Sequence, residues 1–474
     1  MAVASNEQVT PSGSSIPADE EVKRILEEEM PGLKILAMDR QTRWRPQWFM
    51  DVEWKGERTK LVLRGERIQE KEQPLPDEMR FQKMLYERGI PVPAVYHWSD
   101  QLYAYVMEFI PGRHPLIGET EAARDQVVRD YIEALAKLHK LDPQPFLDAG
   151  VRTMTNTPVQ IEEYRKHKTR PYPFMEFGIG WIERHPWRDP NARCPIVSDS
   201  GQFHHLNGRM TAIIDLEFGG LGDPLEDLVV WRMRDTLIDF GDFRKIYAYY
   251  EELTGDKIDI ERAKRAHIMG CFGNELMFGN AVRDPLPDTD IMTYMQWDSE
   301  TSLMATEALT EYYGMDLPTV EVPKPVDLQT EATWRHFTNL LGRLRPQEAY
   351  LGEEIRRAFR AMRHLHRVAE IGDQLWAANI EDIHTITGTS YPDWRSAEAG
   401  LEEFVLADAK EGRHDRDLVW LFHRLQLRTH MTMGPLGSKM VKHYVCQRFD
   451  GGPRVNTADF EAIAAAQRDA AEQR

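Results

Sequence analysis

Apolar and polar residues alternate in three short runs near the start of the chain, at Lys34–Met38, Trp48–Trp54 and Thr59–Arg64. A period of two residues is typical of strands that bury one face. The Lys55-Gly56 pair between the last two runs predicts a hairpin turn. Three consecutive strands joined in this way predict an antiparallel sheet.

The next segment predicts one helix and two further strands. Asp77 is the predicted N-cap of a helix that ends at Gly89, because Asp accepts a hydrogen bond from the first turn and Gly suits a helix C-terminus. Strands are predicted at Val95–Trp98 and Tyr103–Glu108, and the run Phe109–Gly112 then interrupts the pattern. Beyond it the spacing of apolar residues is mainly helical, so we predict a lobe boundary there.

Punctuation by proline and polar residues predicts the domain organisation. Residues 1–18 are small and polar and predict a flexible tail, and 317–328 contain three prolines and predict a linker. A first lobe is therefore expected over 19–110 and a second over 111–316. Apolar residues recur at steps of three or four within 329–474, which predicts an all-α C-terminal domain.

Composition narrows the class of protein. The 474 residues include 59 Lys and Arg against 77 Asp and Glu, a net charge of -18, which argues against a nucleic-acid partner. Three scattered cysteines favour neither a disulfide framework nor a thiolate metal site and indicate a reducing compartment. No signal peptide or membrane span is predicted, so a cytoplasmic location without a membrane partner is expected.

The segment 197–228, VSDSGQFHHLNGRMTAIIDLEFGGLGDPLEDL, carries the most specific chemistry. The apolar run Met210–Ile214 predicts a strand, preceded by a turn at Asn207-Gly208. That strand would place Asp215 at its C-terminal end, where a polar side chain can face a cleft. Asp223 before Pro224 predicts a helix N-cap.

The segment resembles the aminoglycoside phosphotransferase family, which includes choline-kinase-like enzymes and hydroxyacyl-CoA kinases. The family pattern H-G-D-x-x-x-x-N, then I-D-x-E and G-D-P-x-x-D-L, is matched in its second part by IIDLEFGGLGDPLEDL. Further matches follow in order: LVLRGE, DEMRFQKML, GIPVPAV, YVMEFIPG and LAKLHKLD. The resemblance spans about 30–315 and implies an α+β, bilobal protein-kinase-like fold, with a small antiparallel-sheet N-lobe and a mainly helical C-lobe, followed by the all-α domain.

The resemblance also implies cofactors, ATP and Mg²⁺, and a role for each matched residue. Arg64 would neutralise the α and β phosphates and Glu78 would hold it by an ion pair. The backbone from Glu108 to Ile110 would receive adenine. Asp215 would be the principal Mg²⁺ ligand, and its alternative is a surface carboxylate at a strand end. Asp199 would accept or orient the proton of the substrate hydroxyl, and its alternative is a turn-forming aspartate.

The catalytic loop departs from the family pattern. Val197-Ser198 replaces the His-Gly that precedes Asp199, and alignment on this aspartate puts His204 at the metal-binding Asn. Alignment back from the I-D-x-E motif instead puts Gln202 there and leaves the loop two residues short. We prefer the second alignment, because Gln keeps the amide oxygen that Asn would offer to the metal.

Other residues have two readings or a structural one. Asp227 is expected to be structural. Arg43 and Arg45, in a segment without glycine, fit either a phosphate contact or a solvated turn. The Trp and Met residues are expected chiefly in the core, and the alternative for Trp44, Trp48 or Met107 is a contact with adenine. Histidines with satisfied hydrogen bonds on helix faces, rather than ligands, are expected at His364, His366, His423 and His430.

The sequence therefore predicts an ATP- and Mg²⁺-dependent phosphotransferase, or kinase, with a hydroxyl group of a small molecule as acceptor. One alternative is a pseudokinase-like protein that binds a nucleotide or ligand without turnover, favoured by the altered loop. Another is a kinase fold with different chemistry. A homodimer through the C-terminal helical domain is an open expectation.

Overall fold

The computed structural model describes residues 18–41, 45–66, 74–153, 156–189, 191–283, 285, 289–436, 438–451, 455 and 457–472. These residues fall into two compact units, of which the first comprises 1–154, 190–231 and 238–257. The second comprises 155–189, 232–237 and 258–474. The predicted tail lies outside the described residues except for its last residue, Ala18. Arg43 and Trp44 lie outside them entirely.

A five-stranded antiparallel sheet opens the first unit, in the order β1-β2-β3-β5-β4. Its elements are α1 (Asp19–Glu29), β1 (Lys34–Arg40), β2 (Gln47–Trp54), β3 (Glu57–Gly65), α2 (Leu75–Glu87), β4 (Val95–Ser99) and β5 (Ala104–Glu108). Lys55 and Gly56 both have positive φ in the β2–β3 turn, as the predicted hairpin requires. Val22 and Leu26 of α1 pack on one face of the sheet, against a core that includes Trp48.

Helix α2 begins earlier than predicted. Its N-cap is Pro74, and Pro76 follows in the first turn. Proline favours a helix start because the amide hydrogen that it lacks would have no partner within the helix there. Asp77 therefore lies inside the first turn, where it pairs with Arg80 at 2.8 Å instead of capping. The helix ends at Glu87, and Gly89 follows with φ +70°.

The rest of the chain is mainly helical. The elements up to the predicted linker are α3 (Glu121–His139), α4 (Gln144–Asp148), α5 (Asn156–His167), α6 (Pro173–Arg184), β6 (Cys194–Ile196), β7 (Phe203–Leu206), β8 (Arg209–Ile213), β9 (Gly220–Gly222), α7 (Pro224–Arg234), α8 (Phe243–Thr254), α9 (Ile260–Arg283) and α10 (Ile291–Tyr313). Strands β7 and β8 form one antiparallel hairpin, and β6 pairs with β9.

In the described residues after the linker there are five α-helices, with a short 3₁₀ turn at Lys439–Val441. They are α11 (Glu331–Arg343), α12 (Ala349–Thr387), α13 (Trp394–Asp408), α14 (Asp415–Met431) and α15 (Phe460–Glu472). The predicted fold class is confirmed: an antiparallel sheet, a mainly helical lobe and additional C-terminal helices of a bilobal protein-kinase-like fold. Among the described residues, no helix is both long and apolar enough to cross a membrane.

The boundary between compact units does not fall at 317–328. Residues 258–474 form part of one unit, because the linker packs against later helices. Val326 donates its amide hydrogen to the carbonyl of Glu370 at 3.0 Å, and Gln374 donates to the carbonyl of Lys324 at 2.8 Å. Independent folding of 329–474 stays a prediction.

Candidate active site

Strand β3 positions Arg64 at the centre of a buried ion-pair network. Its backbone lies between β2 and β5, opposite Gln47 on one side and Tyr105 on the other. The guanidinium lies 2.8 Å from the Glu78 carboxylate of α2 and donates to Asp215 Oδ1 at 3.0 Å. The structure thus brings together the three residues expected to hold phosphate and metal.

Arg64 stays positively charged in this environment. Burial by itself would lower the pKa of its guanidinium, but the negative charges of Glu78 and then Asp215 raise that pKa above its ordinary value. Burial likewise raises the pKa of the Tyr105 phenol well above its ordinary value. The phenol therefore keeps its proton and donates a hydrogen bond to Glu78 Oε1 at 3.1 Å. Glu78 is fixed from both sides.

A second arginine lies in the same network, and sequence reasoning missed its role. Arg45 is 4% exposed and forms ion pairs with Glu78 at 2.9 Å, with Glu66 at 3.6 Å and with Glu217. Its guanidinium is therefore committed to three carboxylates and is neither the solvated turn residue nor a phosphate donor. Its position before β2 in a charged segment offered no local signal for burial.

The loop before β7, which lacks the family's His-Gly, is held by hydrogen bonds to its backbone. Ser198 occupies the position of the usual Gly and has φ 62°, the left-handed region that glycine adopts most easily. The amides of Val197 and Ser198 donate to the two carboxylate oxygens of Asp227, at 3.0 and 2.7 Å. Asp227 is completely buried and also bonds to His139 Nε2 at 3.0 Å. It anchors the loop, as expected of a structural residue.

Tyr131 of α3 holds the shortened part of the loop. Its hydroxyl accepts from the amide of Gly201 at 2.6 Å and lies 2.7 Å from Ser200 Oγ. Both Tyr131 and Ser200 are fully buried. This clamp was missed at the sequence level because Tyr131 is one apolar-face residue among several in an amphipathic helix.

Gln202 connects the two predicted acidic residues. Its side-chain amide donates to Asp199 Oδ2 at 2.5 Å and to Asp215 Oδ2 at 3.2 Å. Asp215 follows the β8 strand with φ 61°, a conformation that directs its carboxylate into the network. Asp199 therefore lies within one side chain of Asp215, although the loop is two residues short of the family pattern.

The donor set suits a magnesium ion. Mg²⁺ prefers oxygen ligands and is commonly held through one or two protein side chains together with substrate phosphates. Asp215 supplies a carboxylate. The Gln202 amide faces Asp215 with its Nε2, so its oxygen would reach a metal there after the amide turns over. No cluster of three His, Cys, Asp or Glu side chains that could hold a metal occurs in the described part of the chain.

The end of β5 and the residues just after it form hydrogen bonds within the protein. The Glu108 amide donates to the carbonyl of Ala94 at 2.9 Å, and the Glu108 carboxylate accepts from the Ala94 amide at 3.1 Å. The Ile110 carbonyl lies 3.2 Å from His204 Nδ1. The adenine role of Glu108 and Ile110 stays a prediction, and the contact gives His204 a structural partner.

Three further features are structural. Asp223 accepts from the amide of Leu225 at 3.0 Å and Pro224 begins α7, so the predicted N-cap is confirmed. His205 bonds to the Pro115 carbonyl at 3.0 Å, away from the partner of His204. The three cysteines are buried and free: Cys194, Cys271 and Cys446.

Comparison with known proteins agrees with this geometry. The topology of the sheet and the Arg64–Glu78–Asp215 network define a protein-kinase-like fold. Residues 50–255 match the Phosphotransferase enzyme family, APH. The match identifies this segment as a domain of that family and confirms the resemblance seen in the motifs.

The curated relatives contain this segment within much longer chains. Acyl-CoA dehydrogenase family member 10 of Mus musculus is 28% identical over 170 residues, which are 32% of this chain and 16% of that protein. Acyl-CoA dehydrogenase family member 11 of Rattus norvegicus is 28% identical over 169 residues, covering 32% and 22%. The chain thus spans less than a quarter of the length of these relatives.

Similar solved structures are phosphotransferases. Macrolide 2'-phosphotransferase MphH from Brachybacterium faecium is 15% identical, with 56% of this chain and 94% of that one covered and a TM-score of 0.43. A streptomycin–ATP complex of APH(2")-IIa is 16% identical, with 56% and 92% covered and a TM-score of 0.40. The fold assignment depends on the sheet and the family match, not on these superpositions.

Proposed function

We propose that this protein transfers a phosphoryl group from ATP to a hydroxyl group of a small molecule, with Mg²⁺ as the required ion. The observation that carries the proposal is the Gln202 amide, which bridges Asp199 and Asp215. A proton acceptor and a carboxylate for a metal are thereby held in one cluster, beside the cation Arg64. Phosphoryl transfer needs little more than such positioning and charge stabilisation.

Each side chain has a separate task in this proposal. Asp215 and Gln202 would hold the ion, which when bound would neutralise charge on the phosphates. Arg64, kept cationic and oriented by Glu78, would bind the phosphate tail through its forked donors. Asp199 would take the proton of the acceptor hydroxyl while the oxygen–phosphorus bond forms and the bond to the leaving ADP breaks.

The class of acceptor can be identified with a short panel of hydroxylated compounds. Three classes of acceptor are to be tested: hydroxyacyl-CoA thioesters, which the family resemblance implies, and macrolides and aminoglycosides such as streptomycin, which the names of the similar structures suggest. The net charge of -18 is compatible with a cationic acceptor without requiring one. Hydroxyacyl-CoA thioesters come first in the panel, because the curated relatives are named for acyl-CoA chemistry.

A second candidate function is nucleotide or ligand binding without turnover. It is favoured by one observation, the full commitment of Arg45 to three carboxylates, which removes a side-chain phosphate donor from the segment before β2. Under this alternative Asp215 and Arg64 would still bind nucleotide. Asp199 would serve only to hold Gln202.

Calorimetric titration of ATP with Mg²⁺ and with EDTA, followed by ADP release over the acceptor panel, separates these functions. The proposal expects Mg²⁺-dependent binding and ADP release with at least one acceptor. Gln202→Ala should weaken the Mg²⁺ dependence and His204→Ala, its matched control in the rival alignment, should not. Binding without release across the panel would support the second candidate, and no binding would contradict both.

A further inference from the structure

We infer that the C-terminal helices contain a separate binding site for the phosphate group of a small molecule, in a cavity of about 380 Å³ between α11 and α12. Arg335 of α11 and Arg363 and Arg367 of α12 line this cavity, together with His366. All of these residues belong to the second compact unit. The site therefore uses none of the residues of the proposed active site and does not depend on the proposed function.

Arg367 provides the main evidence. It is 4% exposed, and its Nη1 donates to Glu370 Oε2 at 3.0 Å. Its Nε and Nη2 are buried, and no described residue accepts a hydrogen bond from either. A buried donor without an acceptor is costly, and more so on a charged group. Arg367 lines the cavity, and a rotation of its guanidinium would turn these two unmatched donors, now closed off from solvent, toward an anion there.

The other two arginines of the cavity add positive charge that no described carboxylate neutralises. Arg335 is exposed on α11 and forms no ion pair within the described residues. Arg363 lies over the Phe359 ring, with 5.6 Å between its Cζ and the ring centroid, and likewise has no described carboxylate partner.

The preceding turns of α12 show the opposite arrangement. Arg356 pairs with Glu353 at 2.5 Å, and Arg360 pairs with Asp290 at 2.8 Å. Arg357 pairs with Glu354 at 2.8 Å. Arginines on this helix are thus matched with carboxylates outside the cavity, while the cavity keeps an excess of positive charge.

The rest of the wall is rigid and polar. His366 stacks on Trp334, with ring centroids 5.2 Å apart and an interplanar angle of 12°, and its Nε2 lies 3.1 Å from Glu331. Glu331 and Glu370 also line the cavity, so its arginines outnumber its carboxylates by three to two. The Trp334–His366 stack joins α11 to α12 beside the cavity.

The ligand class follows from size and charge. Arginine presents forked donors that match the oxygens of a phosphate group. The cavity volume lies in the range of small-molecule pockets, about 300–1,000 Å³, and has room for more than the phosphate alone. Glu331 and Glu370 can accept from hydroxyl groups. A phosphate monoester of a hydroxylated small molecule fits this combination.

Titration of the full chain with inorganic phosphate and ribose 5-phosphate tests the site, with ribose as the uncharged control. Loss of one charge-assisted contact should lower affinity by about ten- to a hundredfold. We therefore expect Arg335→Gln to lose at least tenfold in affinity for ribose 5-phosphate. Arg356→Gln, which removes a paired arginine of α12 outside the cavity, should bind as the parent does.

Arg335→Gln is the deciding variant, because Arg335 is exposed and its loss leaves the fold intact. Arg367→Met should lose binding more completely, and a denaturation curve identifies the case in which it fails to fold. The inference is overturned if the parent binds neither phosphate compound, if Arg335→Gln keeps the parent's affinity, or if ribose binds as well as ribose 5-phosphate.

Discussion

Two polar clusters in this chain show how exposure separates a site from an interior. In the first compact unit, Asp215 and Glu217 keep 31% and 17% of their side chains accessible and face arginines. In the second unit, His423, His430 and His443 are 2% exposed or less. The first cluster is open to solvent at these two carboxylates, whereas the second is closed to it.

The buried histidines are held as structural groups. His423 Nδ1 lies 2.9 Å from Thr306 Oγ1, and the Thr306 hydroxyl donates to the carbonyl of Leu303, so the imidazole donates from Nδ1. Burial lowers the pKa of His423 to about 4 and that of His430 to about 3. These histidines are therefore part of the packed interior of the second unit.

Substitution of Asp199 should change turnover far more than stability. Asp199→Asn keeps the size of the side chain but removes the proton acceptor, so we expect turnover to fall by about 10²–10⁴-fold. MgATP affinity should stay near that of the parent. Steady-state kinetics with the identified acceptor, paired with nucleotide titration, provide the measurement. Full activity in the variant would show that Asp199 is only a turn residue.

Arg45 tests whether part of that cluster is structural. Arg45→Met leaves the buried carboxylates of Glu66, Glu78 and Glu217 without their shared cation, which should cost about 3–5 kcal/mol of unfolding free energy. Arg58→Met is the matched control, because Arg58 is 77% exposed and pairs only with Glu53, a contact worth about 0–1 kcal/mol. Chemical denaturation of both variants measures the difference. Equal losses would contradict the central position of Arg45.

Tyr131 links packing to the catalytic loop. Tyr131→Phe removes the acceptor of the Gly201 amide and the partner of Ser200, leaving buried polar groups unmatched at a cost of about 1–3 kcal/mol. Because the same bonds hold the shortened loop, turnover should fall together with stability. Denaturation and kinetics on the same preparation check this. A stability loss with unchanged turnover would show that Asp199 does not need the clamp.

His423 tests the sealed cluster through pH. The unfolded chain protonates this residue near pH 6.5 and the folded chain only near pH 4, so the unfolded state binds more protons between these values. Stability from this group is therefore complete above pH 6.5 and falls by up to about 1.4 kcal/mol per pH unit as the pH drops toward 4.

The variant His423→Gln should be less stable than the parent at pH 7 but lose less stability on acidification. Denaturation curves between pH 7 and pH 4 measure both slopes, and turnover at pH 7 should be close to that of the parent. Identical acid slopes in the two proteins would show that His423 is not held neutral.

Much of this architecture is readable from local sequence. Period-two alternation located the strands, and the Lys55-Gly56 and Asn207-Gly208 turns are confirmed by their positive φ. The family motifs located Arg64 and Asp215, because their chemistry requires those residue types. What could not be read were contacts set by tertiary packing: the burial of Arg45, and the Tyr131 clamp that compensates for the shortened loop.

The central claim is that Asp215, joined to Asp199 through Gln202, forms a metal-dependent nucleotide site. The most direct test is a calorimetric ATP titration with Mg²⁺ and with EDTA, for the parent, Asp215→Asn, and Asp51→Asn as an exposed carboxylate control. We predict that Mg²⁺ strengthens ATP binding in the parent and in Asp51→Asn, and that Asp215→Asn loses this gain. Equal Mg²⁺-supported affinity in Asp215→Asn and the parent would contradict the account.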